Sequence, residues 1–463
     1  MGDPLKPADL KLTKVLDRSV PPPAGPLRLF HFPPFLRRTL TNGLEVLAAR
    51  QPGVPLVSLE LMVPGGGQLD PPGQAGLATL TASVIDEGTR RRNAMEIATH
   101  LEGLGGYFST GADWDEGYLG VGLLSRHRQA GIDLLAEVVN EPTFPEGEVE
   151  RLRKQRLSEL LRRRQDPSTA ADETLSRVIY EGTPYANPLI GTEESVAALD
   201  REALVDFYRR CYTVRGAALI AVGDLDPEEV VEAAEAAFGG ASHEPAAAPL
   251  IRAVPLEGIS VHIVDRPGAS QTELRLGHAG VARRDPDFVP LIMLNTILGG
   301  KFTSRINMSL RERHGYTYGA SSRFTARLQP GPFTVDAAVS TASTGAAARE
   351  VLAELRRIRE ELVEPWEMEE TRSYILGVFP YTFQTINDLA KRLENLSVHR
   401  LPDDYYTRYL ERLAAMRREE LLEVAQGHLH PEHMAIVAVG PAEELLPQLE
   451  GLGPVTVAPR QVG

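Results

Sequence analysis

The chain has 463 residues, of which 43% are hydrophobic and 24% are charged, so it is long enough for two or more domains that each bury a core. Its formal net charge of −14 argues against nucleic acid as a partner, because phosphate binding requires a basic surface. Cys211 is its only cysteine, which excludes an intrachain disulfide.

The sequence also carries no signal for membrane insertion or secretion. No apolar run approaches the ~20 residues of a membrane span, and residues 1–20 are polar and lack the apolar stretch of a secretory signal. A cytoplasmic location is therefore predicted, and a periplasmic or secreted chain from which a signal has been removed is the alternative.

In the first half, an extended arm is followed by mixed strand and helix patterns. Residues 1–36 are rich in proline and aperiodic, which is typical of an arm. Apolar alternation and turn signals then predict strands over Leu44–Ala49, Leu56–Val63, a hairpin over Tyr107–Leu124 that turns near Asp113, and Ala217–Val222. Helical periodicity predicts helices over Gly76–Glu87, Ala94–Leu104, Arg128–Asn140, Glu146–Arg164, Arg201–Tyr212 and Pro227–Phe238.

The second half repeats this order of elements after a linker. Residues 241–256 are small, proline-rich and aperiodic, as linkers often are. Strands are predicted near 259–264 and 271–278, a helix near 286–298, a strand pair within 317–340, long helices from 345 to about 415, a helix near 417–427 and a last strand over Met434–Val439.

The repetition extends to residue identities. From Pro52 to Pro71, seven of twenty residues recur 215 positions later, where ordinary residue usage gives roughly one by chance. Further identities recur at an offset of 217, among them Leu135–Glu137, Glu202, Leu204, Ala218 and Ala221–Gly223. The repeat indicates two copies of one fold, and clefts between domains commonly bind ligands.

These patterns predict an α+β fold of two tandem, homologous α/β-sandwich domains that face each other as a clamshell. Each domain is expected to have a mainly antiparallel sheet with helices packed on it, because hairpins accompany the crossovers. The predicted segments are an arm over 1–36, a first domain over 37–240, a linker over 241–256, a second domain over 257–450 and a tail over 451–463.

Local motifs in both halves resemble a known family. They are Glu87-Gly88-Thr89 after the first helix, the loop Tyr180–Tyr185 with Pro188 and Ile190–Thr192, and Leu298–Gly300 with Ser304-Arg305 and Leu310–Tyr318. Over roughly residues 38 to 445 the chain resembles the pitrilysin/insulinase metallopeptidases. That family includes the mitochondrial processing peptidase and the core proteins of the respiratory bc1 complex.

The resemblance implies that this chain has lost its zinc motif. The family motif H-x-x-E-H places two histidines one helical turn apart on a zinc ion, with a glutamate that polarises the bound water. Here Thr79 and Ser83 stand at the histidine positions and Ala82 at the glutamate position, and no H-x-x-E-H occurs elsewhere. Glu159 matches the third ligand, but one carboxylate alone does not hold catalytic zinc. The chain is therefore predicted to bind no metal, with Glu159 as a residual ligand position.

In the second half, the resemblance implies that substrate-gripping residues are retained. In active members an arginine, and a tyrosine seven residues later, reach the peptide at the zinc site, and Arg311 and Tyr318 have this spacing. Both are hydrogen-bond donors suited to a peptide carbonyl or a developing oxyanion. Without the resemblance, a solvated arginine and a core tyrosine would be expected. His314 and Tyr316, in the same loop, are further candidates.

Peptide is expected to bind along one strand of the first half. Gly105-Gly106 followed by a strand is similar to the family's substrate-pairing edge strand. A peptide would add a strand to that edge, near Ser109, Thr110, Gly111 and Ala112.

Two other clusters have simpler interpretations. His428, His430 and His433 look like a metal cluster, but Pro431 interrupts any helix that would align the imidazoles, so metal binding there is not expected. The basic segment Arg151–Arg164 is predicted to be a solvated or chamber-lining face, with phosphate binding as a second interpretation.

The leading hypothesis is a non-catalytic, zinc-less subunit of a two-chain metallopeptidase. Its partner would be a homologous chain with H-x-x-E-H, which holds the zinc, in a heterodimer or higher assembly. This chain would supply Arg311 and Tyr318 to grip peptide substrates. The alternatives are a purely structural core-type subunit, a self-sufficient peptidase with unusual ligands, and a homodimeric peptide-binding protein without proteolysis.

Overall fold

Two six-stranded sheets, one in each half, organise the residues that the computed structural model describes, namely 30–240, 242–253 and 255–458. The first sheet has the order β1-β2-β6-β3-β5-β4 and the second the order β12-β7-β11-β8-β10-β9. The strands are β1 (Leu36–Thr39), β2 (Glu45–Arg50), β3 (Leu56–Val63), β4 (Tyr107–Ala112), β5 (Gly117–Leu124), β6 (Ala218–Gly223), β7 (Ser260–Asp265), β8 (Gln271–Ala279), β9 (Thr317–Phe324), β10 (Pro332–Ser340), β11 (Ala435–Gly440) and β12 (Val455–Ala458).

Helices separate these strands in the same order in both halves. The helices are α1 (Leu77–Val84), α2 (Ala94–Gly103), α3 (Arg128–Asn140), α4 (Glu146–Arg163), α5 (Pro167–Ile179), α6 (Glu193–Ala198), α7 (Arg201–Cys211), α8 (Pro227–Phe238), α9 (Phe288–Leu298), α10 (Arg305–Asn307), α11 (Thr344–Glu360), α12 (Pro365–Val378), α13 (Ile386–Val398), α14 (Tyr405–Ala415), α15 (Arg418–His428) and α16 (Ala442–Leu449). Within the described ranges, no helix combines the length and the apolar character that crossing a bilayer requires.

The predicted duplication and the α+β class are confirmed by the strand pairing. In the first sheet, β2 and β6 are parallel and the remaining pairs are antiparallel. In the second sheet, β7 and β11 form the corresponding parallel pair beside antiparallel β8, β10 and β9. Hairpins therefore dominate both sheets, as their mixed order of elements predicts.

The two sheets differ at one edge, where the predicted tail takes part in the fold. β1 precedes β2 and pairs with it antiparallel. No strand of the described chain takes that place ahead of β7, and β12 pairs with β7 in parallel instead. The sequence assigned residues 451–463 to a tail, but this segment contains β12. Pairing with β12 satisfies backbone groups that the edge of β7 would otherwise expose. The predicted arm lies outside the described residues as far as position 29.

Each sheet is covered on its second face by a helix from the other half. One face of each sheet packs on helices of its own half, such as α3 and α8 or α11 and α16. On the opposite face, α5 crosses to β8 and β11, and α13 crosses to β3 and β6. β6 and β11 are consequently buried along their whole length.

The crossing of α5 combines apolar and ionic contacts. A Cβ on Gly277 would come within 3.0 Å of the Leu175 side chain, so glycine lets the helix lie close to β8. Arg275, which is almost fully buried, donates hydrogen bonds to Asp172 at 2.6 Å and to Ser168 at 2.6 Å. Sequence analysis assigned no element to residues 165–200, although an N-cap aspartate followed by proline, here Asp166-Pro167, is a helix-start signal.

A loop of the second half is also anchored in an aromatic cage of the first. The guanidinium carbon of Arg327 lies 3.9 Å from the ring centroid of Trp114 and 4.4 Å from that of Tyr185. Asp115 accepts hydrogen bonds from the Tyr185 hydroxyl and from the Leu328 N–H, both at 2.7 Å. A buried cation stabilised by aromatic faces and a carboxylate shared by both halves hold the two sheets in one relative position.

Replacement of Leu175 by alanine should destabilise both halves together. Leu175 is 2% exposed in the core that α5 forms with the second sheet, and large-to-small changes at such sites cost about 2–5 kcal/mol. Chemical denaturation, followed by tryptophan fluorescence and far-UV circular dichroism, should show one transition shifted to lower denaturant. Leu161→Ala, on the exposed side of α4, is the matched control. A change no larger than that of the control would contradict the exchanged packing.

Candidate functional site

The lost zinc motif lies on α1, whose start is fixed by the loop before it. Gly76 precedes the helix with φ of +91°, and a Cβ there would come within 2.7 Å of the Ile190 carbonyl oxygen. The Asp70 carboxylate accepts hydrogen bonds from the N–H groups of Gly76 and Ala78, both at 2.8 Å. Burial raises the pKa of Asp70 to about 7. α1 is thereby held against the loop that carries Leu189 and Ile190.

The side chains at the former ligand positions hydrogen-bond to backbone carbonyls. The Thr79 hydroxyl lies 3.1 Å from the Gly76 carbonyl and 3.2 Å from that of Leu189, and the Ser83 hydroxyl donates to the Thr79 carbonyl at 2.8 Å. Ala82 is buried and offers no acid or base. Glu159 of α4 is the only carboxylate at the three ligand positions.

Arg156, which sequence analysis did not single out, contacts all three former ligand positions. Its Nη1 donates to the Thr79 hydroxyl at 2.8 Å, its Nη2 donates to the Ser83 hydroxyl at 3.3 Å, and its Nε lies 3.4 Å from Glu159. The side chain is 12% exposed, and this burial lowers the pKa of the guanidinium. Its only sequence signal is its place one helical turn before Glu159 in a helix with many arginines.

The donor set does not fit zinc. A catalytic zinc ion needs three protein ligands of the histidine, cysteine or carboxylate type, whereas Thr79 and Ser83 are hydroxyls and Glu159 is already paired with Arg156. The zinc implied by the resemblance therefore has no site formed by these residues.

Arg311 and Tyr318 lie together on a groove of the second half, with a volume of about 620 Å³. Arg311 belongs to a π-helical turn, Met308–Arg313, that directly follows α10, a geometry often found at functional sites. Its guanidinium carbon is 4.5 Å from the Phe302 ring centroid. Tyr318 is 90% exposed, and its hydroxyl has no hydrogen-bond partner among the described residues. Ser168, Glu273, Arg275, Lys301, Asp336 and Tyr374 also line the groove.

The groove and the former zinc site are separate within the chain. Among the described residues, no hydrogen bond, ion pair or ring contact joins Arg311 or Tyr318 to Arg156 or Glu159. Of the other candidates, His314 stacks on Tyr316 at 5.0 Å and lies 3.6 Å from Glu350. Of the predicted pair, the Tyr318 hydroxyl has no polar partner among the described residues, whereas the Arg311 Nε lies 3.3 Å from the Glu312 carboxylate.

The edge strand of the first half is open. The Asp113 N–H donates to the Glu116 carbonyl, so the alternation of an antiparallel ladder directs the backbone groups of Phe108, Thr110 and Ala112 away from β5. No described residue hydrogen-bonds to those outward groups. Of the four predicted peptide-pairing residues, Thr110 and Ala112 present free backbone, whereas Ser109 and Gly111 pair with β5.

The corresponding edge of the second half is sealed. Ala320 N–H donates to the side-chain oxygen of Asn307 at 3.0 Å, and Ser322 N–H donates to the Gly299 carbonyl at 3.1 Å. The Asn295 amide donates to the Ser322 carbonyl at 2.8 Å. Within the described part of the chain, the first half therefore has an edge that can accept another strand at this position and the second half does not.

The three clustered histidines turn to different partners. His428 Nε2 lies 2.8 Å from Asp287, the His430 N–H donates to His278 Nε2 at 3.2 Å, and His433 Nδ1 lies 2.8 Å from the Leu256 carbonyl. Donor atoms of Asp285, Asp287 and His428 lie within 4.8 Å of one another. This group stands at the N-terminus of α9, whose positive end opposes a cation.

Most of the basic segment forms ion pairs on the surface. Arg151 pairs with Glu87 and Glu148, and Arg153 pairs with Glu150. These contacts are those of a solvated face, and Arg156 is the member of the segment that turns inward.

Two family models match the chain. The model described as insulinase, peptidase family M16, matches residues 45–193, and the one described as peptidase M16 inactive domain matches residues 198–375. An uncharacterized zinc protease of Rickettsia bellii is 25% identical over 337 residues, which cover 73% of this chain and 81% of the relative.

Relatives described as inactive are also similar. A non-peptidase homolog of Helicobacter pylori is 23% identical over 389 residues, which cover 81% of this chain and 87% of the relative. A crystal structure of a peptidase M16 inactive domain from Pseudomonas fluorescens has a TM-score of 0.83 and 26% identity, and the match covers 88% of this chain and 98% of that chain.

Acidification should lower the contribution that His278 makes to stability. Burial lowers the pKa of His278 to about 4, below the value of about 6.5 in an unfolded chain. Between these values the unfolded chain binds a proton at this residue that the folded chain does not, so the contribution of His278 to the free energy of unfolding falls as the pH drops from 6.5 towards 4, whereas that of Asp70, whose pKa is raised, changes in the opposite direction. His278→Gln should remove up to about 3 kcal/mol of this dependence.

Denaturant titrations at pH 7 and pH 5 would measure the effect. Relative to the parent chain, His278→Gln should lose less stability, or gain more, between pH 7 and pH 5, because His399, whose pKa burial lowers to about 3, and Asp70 keep their own contributions. His433→Gln, at an exposed position, should leave the slope unchanged. An unchanged slope in His278→Gln would refute the assignment.

Proposed function

Because the chain belongs to the insulinase (M16) family of peptidases, we propose that it is the zinc-less subunit of a two-chain metallopeptidase. The partner is a homologous chain with an intact H-x-x-E-H motif, which binds the zinc and provides the base. This chain closes the other side of the shared chamber and grips the peptide.

The observation that carries the proposal is the contrast between the two halves. In the first half, Arg156 engages Thr79, Ser83 and Glu159, and this donor set does not suit zinc. In the second half, Tyr318 is exposed with a free hydroxyl. An exposed hydroxyl without a partner neither stabilises nor destabilises the fold, which favours a role in binding a ligand.

The chemistry of the groove suits a peptide in an extended conformation. The Arg311 guanidinium and the Tyr318 hydroxyl donate hydrogen bonds to carbonyl oxygens, and both strengthen as negative charge develops on that oxygen. The Phe302 ring under Arg311 keeps the guanidinium in place through a cation–π contact. The chain's own former zinc site is not in contact with this groove. The carbonyl that accepts hydrogen bonds from Arg311 and Tyr318 therefore belongs to a peptide bound at the partner's zinc.

A second candidate is peptide binding by this chain without proteolysis. The free outward backbone of Thr110 and Ala112 favours it, because an extended peptide can pair with both. A purely structural subunit would need neither this open edge nor the exposed tyrosine.

Arg311→Ala and Tyr318→Phe should each lower peptide hydrolysis by the assembled complex. The complex would be the one that this chain forms with an H-x-x-E-H chain recovered with it from its native host. Loss of one transition-state donor costs about 100-fold or more in kcat in comparable sites, so a fall of that order in kcat/KM is expected. Arg313→Ala, on the exposed side of the same turn, is the control. Unchanged hydrolysis, or no such partner on recovery, would contradict the proposal.

Thr110→Pro should weaken the binding of an unstructured peptide to this chain. Proline removes the outward N–H and is tolerated on an edge strand where that group is not in the ladder, while Thr110→Val keeps the N–H and serves as the control. Loss of one backbone hydrogen bond corresponds to about a threefold to tenfold rise in Kd. Fluorescence polarisation of a labelled unstructured polypeptide would measure it. Equal Kd values for the two variants would exclude strand addition at β4.

A further inference from the structure

We propose that the Arg156 guanidinium has replaced the metal as the cation that ties α1 to α4, and that its presence bars zinc from this site in addition to the loss of the ligands. The Arg156 guanidinium then occupies the position at which the zinc ion would lie. This inference concerns the isolated chain and does not depend on the proposed pairing with a second subunit.

The geometry resembles that of a metal bridging two helices. Thr79 and Ser83 lie one turn apart on α1, while Arg156 and Glu159 lie one turn apart on α4. The three guanidinium nitrogens have one partner each at these positions, at 2.8, 3.3 and 3.4 Å. A planar guanidinium with five N–H donors can serve several acceptors at once, as a metal ion serves several ligands.

The residue types at the former ligand positions suit a guanidinium. The Thr79 and Ser83 hydroxyl protons point towards backbone carbonyls, namely those of Gly76 or Leu189 and of Thr79. Their lone pairs are therefore free to accept from Arg156. A hydroxyl can donate to one group and accept from another, which allows both contacts at once.

Glu159 compensates the charge of Arg156. The Arg156 side chain is 12% exposed and lies 3.4 Å from one carboxylate oxygen of Glu159, while the more exposed Arg163 lies 4.0 Å from the other. Hydrogen-bonded and paired, the buried guanidinium meets the condition under which a buried charge is tolerated.

The guanidinium and a zinc ion exclude one another. Zinc needs its ligand atoms at about 2.0–2.2 Å, whereas the same positions here face guanidinium nitrogens at hydrogen-bond distance. A second cation close to a buried guanidinium would also be repelled. Restoring the ligands without removing Arg156 is therefore not sufficient to restore the metal.

Zinc content tests this directly. A triple variant, Thr79→His with Ala82→Glu and Ser83→His, should stay free of zinc after dialysis against the metal alone. Adding Arg156→Ala should raise the content to about one zinc per chain and should make the Tm rise on zinc addition. Adding Arg162→Ala to the triple variant, at an exposed position of the same helix, should not. Equal zinc content in the triple and quadruple variants, high or low, would overturn the proposal.

The bridging role has a separate test in the otherwise unchanged chain. Arg156→Ala should lower the Tm by several degrees, and Arg156→Lys should recover little of it, because a single ammonium cannot span three acceptors in fixed directions. Arg162→Ala should leave the Tm unchanged. A Tm for Arg156→Ala equal to that of the Arg162→Ala control would show that the guanidinium does not tie the helices together.

Discussion

Both sheets depend on the exchange of one helix between the halves. The second face of each sheet is covered by a helix of the other half, since α5 packs on the second sheet and α13 on the first. The exchange also connects the two sites. α5 begins at Pro167, directly after the helix that carries Arg156 and Glu159, and its Ser168 lines the groove of Arg311.

Three largely buried arginines each join segments that are distant in the sequence. Arg275 binds α5 to the second sheet through Asp172, Arg327 fills the cage around Trp114, and Arg156 joins α1 to α4. In each place a buried guanidinium has its charge balanced by a carboxylate or by aromatic faces.

Much of the fold and of the site could be predicted because the signals are local. The hydrophobic periodicity of the sequence predicted β3, α3 and α8 with their observed bounds, and the identical residues 215 positions apart indicated the duplication. The loss of the metal ligands at 79 and 83 was evident from residue type alone. α5 was missed although Asp166-Pro167 marks its start, and β12 was missed because a four-residue strand gives too short a pattern.

The sequence by itself determined which residues are present in the former zinc motif, and hence that zinc lacks its ligands. Tertiary structure alone decided what took its place, since Arg156 is 77 positions from Thr79 and no short-range pattern links them. The same holds for the edges of the sheets. Thr110 and Ala320 occupy corresponding strands, but only folding brings Asn307 onto one of them. Contacts between residues distant in sequence depend on how helices and strands pack together. The hydrophobic periodicity of a single segment does not determine that packing.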